Sequence, residues 1–194
     1  GIRLDEVSLM KRIGALLLCG ILLLPAAGAS GTPWPAWAAE ALAWGREKSV
    51  SRAFLASPGQ RLTRGAVARL LYESAGQPAA HEECPFSDVS EKDAVAVGWA
   101  AGQGYLTGVG DGTYEPGRPV TRQEFAAILW RQAGTPEVPV QGLERFGDAG
   151  TVSEWARDAV LWCQQAGVMA GRSGDKLAPE DTITTAEALV MLER

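Results

Sequence analysis

The residues with the most chemical potential in this chain are arginines placed where helices should begin. Thr121-Arg-Gln-Glu124 opens a run that carries Phe125, Ile128 and Leu129 at helical spacing. Thr-x-x-Glu is a capping box, in which the hydroxyl takes the glutamate's backbone N–H and the carboxylate takes the threonine's. Thr184 and Glu187 repeat it. Glu124 and Glu187 therefore have a structural reading, capping, beside a ligand-binding one. Arg122 is different. The helix dipole disfavours a cation in the first turn, so its removal should cost the fold little. Beside free helix N–H groups, its two-pronged guanidinium suits an anion, a carboxylate above all. The structural alternative is a solvated arginine or one in an ion pair, with Asp88 or Asp111 as partner. Arg64 repeats the choice after Thr63, and Thr185 stands there in the third case.

Other polar residues read more simply. Asp88 and Asp148 precede helices and fit capping. Gly110-Asp111-Gly112 is a tight turn, whose glycines also let a sugar approach the backbone. It lacks the alternating oxygen ligands of a calcium loop. His81-Glu-Glu-Cys84 holds metal-capable groups but has no second cluster to complete a site. With one histidine and no Gly-x-Ser-x-Gly or phosphate loop, neither catalysis, a metal nor a cofactor is expected.

The elements that must position these residues recur. Residues 86–134 are echoed by 146–194 and, more faintly, by 34–76. Phe86-Ser-Asp88 matches Phe146-Gly-Asp148, Trp99 matches Trp162, and Thr121-Arg-Gln-Glu124 matches Thr184-Thr-Ala-Glu187. The offset is 60 residues at the start and 63 from the tryptophan onward. Such a period means supersecondary units that bury their apolar faces against one another. Each unit reads as helix, long turn, helix, and the units span residues 30–76, 86–134 and 146–194. Trp37, Ala41 and Trp44 share a face, as do Trp155, Ala159 and Trp162, and Val95, Trp99 and Gly102. Most of the seven tryptophans should therefore be core. Lys92 takes the place of Trp37 and Trp155, so its helix should be shorter or less buried at its start.

Residues 10–29 read as a secretory signal peptide: Met10-Lys-Arg12, an apolar run over 13–24, and Ala27-Gly-Ala29. The run is short for a membrane span of about 20 residues, so no stable span is expected after cleavage. Cleavage removes three basic and two acidic side chains from 18 and 23, leaving 15 against 21, a net charge of −6. That balance excludes a nucleic-acid partner, which needs a basic face. It also requires any anionic ligand to be held by a local cationic spot. Cys84 and Cys163 remain, and an isolated pair is no disulfide framework.

These motifs together carry a resemblance. Phe86-Ser-Asp-Val89, Gly108-Val-Gly-Asp-Gly-Thr-Tyr114 and Thr121-Arg-Gln-Glu-Phe125, in that order, resemble the S-layer homology module. Three modules would cover nearly the whole mature chain, the first and third degenerate. The resemblance implies an all-α, pseudo-threefold bundle. It also implies non-covalent binding of anionic, often pyruvate-ketal-modified, secondary cell-wall polysaccharide on a bacterial surface. The resemblance places the arginine of the Thr-Arg-x-Glu motif, Arg122, in the glycan-binding groove, and the candidate ligand-binding residues are Arg122, Arg64, Asp111, Gly112, Tyr114, Glu124, Asp88 and Asp148. Two other readings stand beside it. The repeats can be a protein-docking or structural module that has lost glycan binding, or the wall-targeting part of a larger glycan-active enzyme.

Overall fold

The computed structural model describes residues 32–79, 83–138, 141–172 and 175–194. The signal peptide assigned to residues 10–29 and the His81-Glu82 pair lie outside them. The described residues form seven α-helices and no strand. These are α1 (Ala39–Glu47), α2 (Arg52–Leu55), α3 (Arg64–Ser74), α4 (Glu91–Gly102), α5 (Arg122–Gln132), α6 (Arg157–Gln165) and α7 (Thr185–Glu193). None is long and apolar enough to cross a membrane.

The second helix of each unit begins as its sequence dictates. Thr63, Thr121 and Thr184 each accept the backbone N–H three residues on, at 3.3, 3.3 and 3.4 Å. Glu124 and Glu187 complete their boxes by accepting the N–H of Thr121 (2.8 Å) and Thr184 (3.0 Å). The first helices of the second and third units stop at Gly104 and Gly167, with φ of +74° and +73°, a conformation glycine takes without strain.

Packing is cyclic. α3 lies against α4, α5 against α6, and α7 returns to α1. Each second helix thus packs on the first helix of the next unit, and the third unit closes on the first. At the centre, three fully buried residues join in a hydrogen-bonded ring. Leu62 N–H donates to Ile183 O (3.0 Å), Ile183 N–H to Val120 O (2.9 Å), and Val120 N–H to Leu62 O (3.0 Å). Each stands immediately before a capping threonine. Around the ring pack Leu70, Val97, Phe125, Leu177 and Leu189, all without exposed surface.

Three expectations change. Trp37 and Trp155 are not core: they are 61% and 58% exposed. Each lies in a 3₁₀ turn, Ala36–Ala38 or Glu154–Ala156, ahead of its α-helix. The tighter winding breaks the α-helical phase and turns the indole outward. α4 is not shorter, since it has 12 residues against nine in α1 and α6, but Glu91 and Lys92 at its start are exposed. It simply starts as α-helix where the others start as 3₁₀. Val95 is exposed, and the inner face of α4 runs instead through Ala96, Val97, Trp99 and Ala100. Cys84 and Cys163 are free, and burial pushes the Cys163 thiol up to about 12.

Candidate functional site

The arginines at the helix starts turn inward, across the seams between units. Arg64 donates through Nε to Tyr114 O (2.7 Å) and through Nη2 to Thr107 O (2.6 Å). Its guanidinium carbon lies 4.3 Å from the centre of the Tyr114 ring, within cation–π range. Arg122 does the same one unit later. It donates through Nε to Leu177 O (3.0 Å), through Nη2 to Ala170 O (2.8 Å) and through Nη1 to Glu187 (3.1 Å). Its side chain is only 4% exposed. Burial lowers the proton affinity of both arginines, and Tyr114 and Glu187 respectively oppose the shift.

This geometry explains a cation at the positive end of a helix. The helix N–H groups are not free to meet an anion, because the next unit's turn already uses them. Arg64 N–H and Gly65 N–H donate to Arg118 O and Pro116 O, both at 2.9 Å; Arg122 N–H and Gln123 N–H donate to Asp181 O and Pro179 O, also at 2.9 Å. Oriented carbonyls from the same turn receive the guanidinium. Neither Asp88 nor Asp111 pairs with Arg122. These contacts tie the second unit to the third, and they weigh against the expectation that removing Arg122 costs the fold little.

Asp88 and Asp148 cap no helix through their side chains. Each clasps a distant turn. Asp88 accepts Tyr114 N–H (2.8 Å) and Glu115 N–H (2.7 Å), and Asp148 accepts Leu177 N–H (2.8 Å) and Ala178 N–H (2.7 Å). Desolvation pushes each carboxyl up, but these N–H groups outweigh it and hold both below the usual carboxylate range. Tyr114 is fully buried and donates its hydroxyl to Arg64 O (2.9 Å), so it supports the arginine from beneath. Asp111 and Gly112, with φ of +51° and +71°, form the exposed tip of the turn.

Above each arginine lies a groove. The first, about 230 Å³, contains Arg64, Arg118, Glu124 and Arg131, with Trp155 from the third unit. The second, about 400 Å³, contains Arg122, Arg172, Glu187 and Arg194, with Trp37 from the first unit. Thr107, Gly108, Glu124 and Arg131 of the first correspond, 63 residues on, to Ala170, Gly171, Glu187 and Arg194 of the second. Each groove therefore draws on all three units. Arg118 holds Glu124 (2.7 Å) and Glu115 (3.1 Å). Arg172 holds Glu187 (2.9 Å) and Asp181. Burial would raise both cap glutamates, but Arg118 and Arg172 lead the contacts that hold them below their ordinary value.

The third seam keeps none of this. Thr185, Gln60, Ala66, Glu73 and Lys92 stand at the positions of the arginines, the glutamate and the tryptophan. Thr185 is fully buried, and both its N–H (2.9 Å) and its hydroxyl (3.3 Å) donate to Gln60 O.

Of the eight residues named from the sequence, the structure brings Arg64 and Glu124 into one groove and Arg122 to the floor of the other. It places Tyr114, Asp88 and Asp148 beneath the turns and Asp111 and Gly112 at a tip. Sequence reasoning missed Arg118, Arg131, Arg172, Arg194, Trp37 and Trp155 as groove residues. The 63-residue register relating Arg131 to Arg194 was a usable signal.

Comparison with known proteins follows these lines. Residues 85–126 and 145–189 match the profile of the S-layer homology domain. Endo-1,4-beta-xylanase A of Thermoanaerobacterium saccharolyticum is 32% identical over 105 residues, 53% of this chain and 9% of that protein. Cell surface glycoprotein 1 of Acetivibrio thermocellus is 24% identical over 153 residues, 71% of this chain and 6% of that protein. Amylopullulanase of Thermoanaerobacterium thermosulfurigenes is 30% identical over 112 residues, 56% and 6%. The chain thus spans less than a tenth of these curated relatives. Residues 85–126 and 145–189, each carrying an Asp clasp and a capped second helix, are S-layer homology domains.

Proposed function

We propose that this chain is a secreted, non-catalytic module that anchors itself to a bacterial cell wall by binding anionic secondary cell-wall polysaccharide in two grooves. The observation that carries the reading is the duplicated groove. Two seams of three each keep three arginines, a capping glutamate and an exposed tryptophan, with all but one of the arginines in register. Arginine forks suit carboxylates, including a pyruvate ketal. Exposed indole faces beside them suit the apolar face of a sugar ring. The direct contacts are Arg64, Arg118, Arg131, Glu124 and Trp155 in the first groove, with Arg172, Arg194, Glu187 and Trp37 in the second. Arg122, Tyr114, Asp88 and Asp148 position them. The units are residues 30–76, 86–134 and 146–194, and residues 10–29 direct export.

The test is co-sedimentation with purified wall sacculi before and after the secondary polymer is stripped. Binding that survives stripping would refute the reading and leave protein docking as the better account. One specific observation favours a variant of it. The xylanase and amylopullulanase that the chain resembles are far longer than the match. The same module would then be the wall-targeting part of a glycan-active enzyme.

A further inference from the structure

Resting on that reading, we infer that the two grooves take different parts of the polymer. The first takes a carboxylate-bearing sugar and the second an uncharged one, and Arg118 makes the difference. The argument concerns which guanidinium nitrogens remain available. In the first groove Arg64 uses Nε and Nη2 on backbone carbonyls. Arg118 uses Nη2 on Glu124 and Nε on Glu115. Among the described residues no acceptor lies within hydrogen-bond reach of either Nη1. Two arginines lining one groove therefore each present an unused pair of N–H donors.

Arg131 and Arg194 do not separate the grooves, since each spends only Nη1, on Tyr105 O and Gly167 O. What the second groove lacks is a counterpart to the unused Nη1 groups of Arg64 and Arg118. Arg122 spends Nη1 on Glu187 as well as Nε and Nη2 on carbonyls. Arg172 spends Nε and Nη2 on Glu187 and Nη1 on Asp181. Asp181 occupies the position of Arg118, 63 residues on, and Arg172 that of Val109. The cation that restrains the cap glutamate has moved to the other side of the turn, and a carboxylate has taken its place. The first set is Arg64, Arg118 and Arg131 against Glu115 and Glu124; the second is Arg122, Arg172 and Arg194 against Asp181 and Glu187. Each sums to one positive charge, so total charge does not separate them. Availability of donors does, because a charged acceptor gains most from N–H groups that need give up no partner.

Trp155 and Trp37 report the two grooves separately. The experiment uses the ¹⁵N-labelled full chain, with both indole N–H resonances assigned through Trp155→Phe and Trp37→Phe. It is titrated with a hexosamine carrying a pyruvate ketal and with the methyl ester of that sugar. The acid should shift Trp155 at about tenfold lower concentration than the ester, while Trp37 responds to both alike. Arg118→Gln should abolish the preference at Trp155. Asp181→Arg should create one at Trp37, a gain that loss of folding cannot mimic. If Trp37 of the parent chain prefers the acid as strongly as Trp155, or Arg118→Gln keeps the preference, the assignment is overturned. If neither indole responds to either sugar, the glycan reading itself falls, and this inference with it.

Discussion

Arg122→Ala tests the reasoning most directly. The parent guanidinium makes two bonds to backbone carbonyls and one to a carboxylate, from a side chain 4% exposed. Truncation leaves Leu177 O and Ala170 O without their side-chain donor and opens a cavity. Glu187 loses one of two arginines but keeps Arg172. Removing one partner of a buried pair costs roughly 3–5 kcal/mol, and the two abandoned carbonyls agree with that range at about 1–3 kcal/mol each. For a domain of this size, the melting temperature should fall by roughly 6–20 °C. Arg64→Ala should lose less, because Arg64 is less buried and forms no ion pair among the described residues. Thermal and urea unfolding followed by far-ultraviolet circular dichroism measure both. A loss below about 1 kcal/mol for Arg122→Ala would match the dipole argument alone and refute the buried network.

Acid should destabilise the fold through its cap glutamates. The folded-state pKa of Glu187 lies below its ordinary value of 4.5. The unfolded chain therefore binds more protons in that window, and stability rises with pH there. The contribution is complete above about 4.5 and disappears as pH falls through the folded value. Glu187→Gln should melt lower than the parent at pH 7 and approach it toward pH 3; a constant difference across that range would contradict the assignment. Gly108→Ala should destabilise by about 1–3 kcal/mol, since a Cβ there meets a Phe86 ring carbon and Thr113 O, both at 2.7 Å. Gly117→Ala, with open space around it, is the control and should melt within a degree or two of the parent.

What the sequence made legible was local. Thr-x-x-Glu boxes place α5 and α7, and glycines stop α4 and α6, because each acts within a few residues of itself. The all-α class follows from helical spacing for the same reason. The site was less legible because its decisive contacts cross units. Asp88 meets its partners 26 and 27 residues away, and Arg122 reaches 48 to 65 residues on. Whether helix-start N–H groups are free or already bonded is a property of the neighbouring unit. Trp37 and Trp155 fit a buried spacing that a 3₁₀ start removed. The exchange of Arg118 for Arg172 defeated position-by-position matching, because the charge moved to a different column of the repeat.

The ring of Leu62, Val120 and Ile183 sets the arithmetic of the whole assembly. Each residue gives one bond and takes one, so the circuit is complete at three and has no open end. Open solenoids grow or shrink by whole repeats because each repeat needs only its neighbours. Here a fourth copy would find no vacant acceptor, and deleting one would strand a donor and an acceptor at the centre of the core. Duplication can therefore lengthen a protein carrying this fold only in multiples of the complete triplet. The first unit, which retains Leu62 but neither the glycine-rich turn nor a complete capping box, persists as the member that closes the circuit.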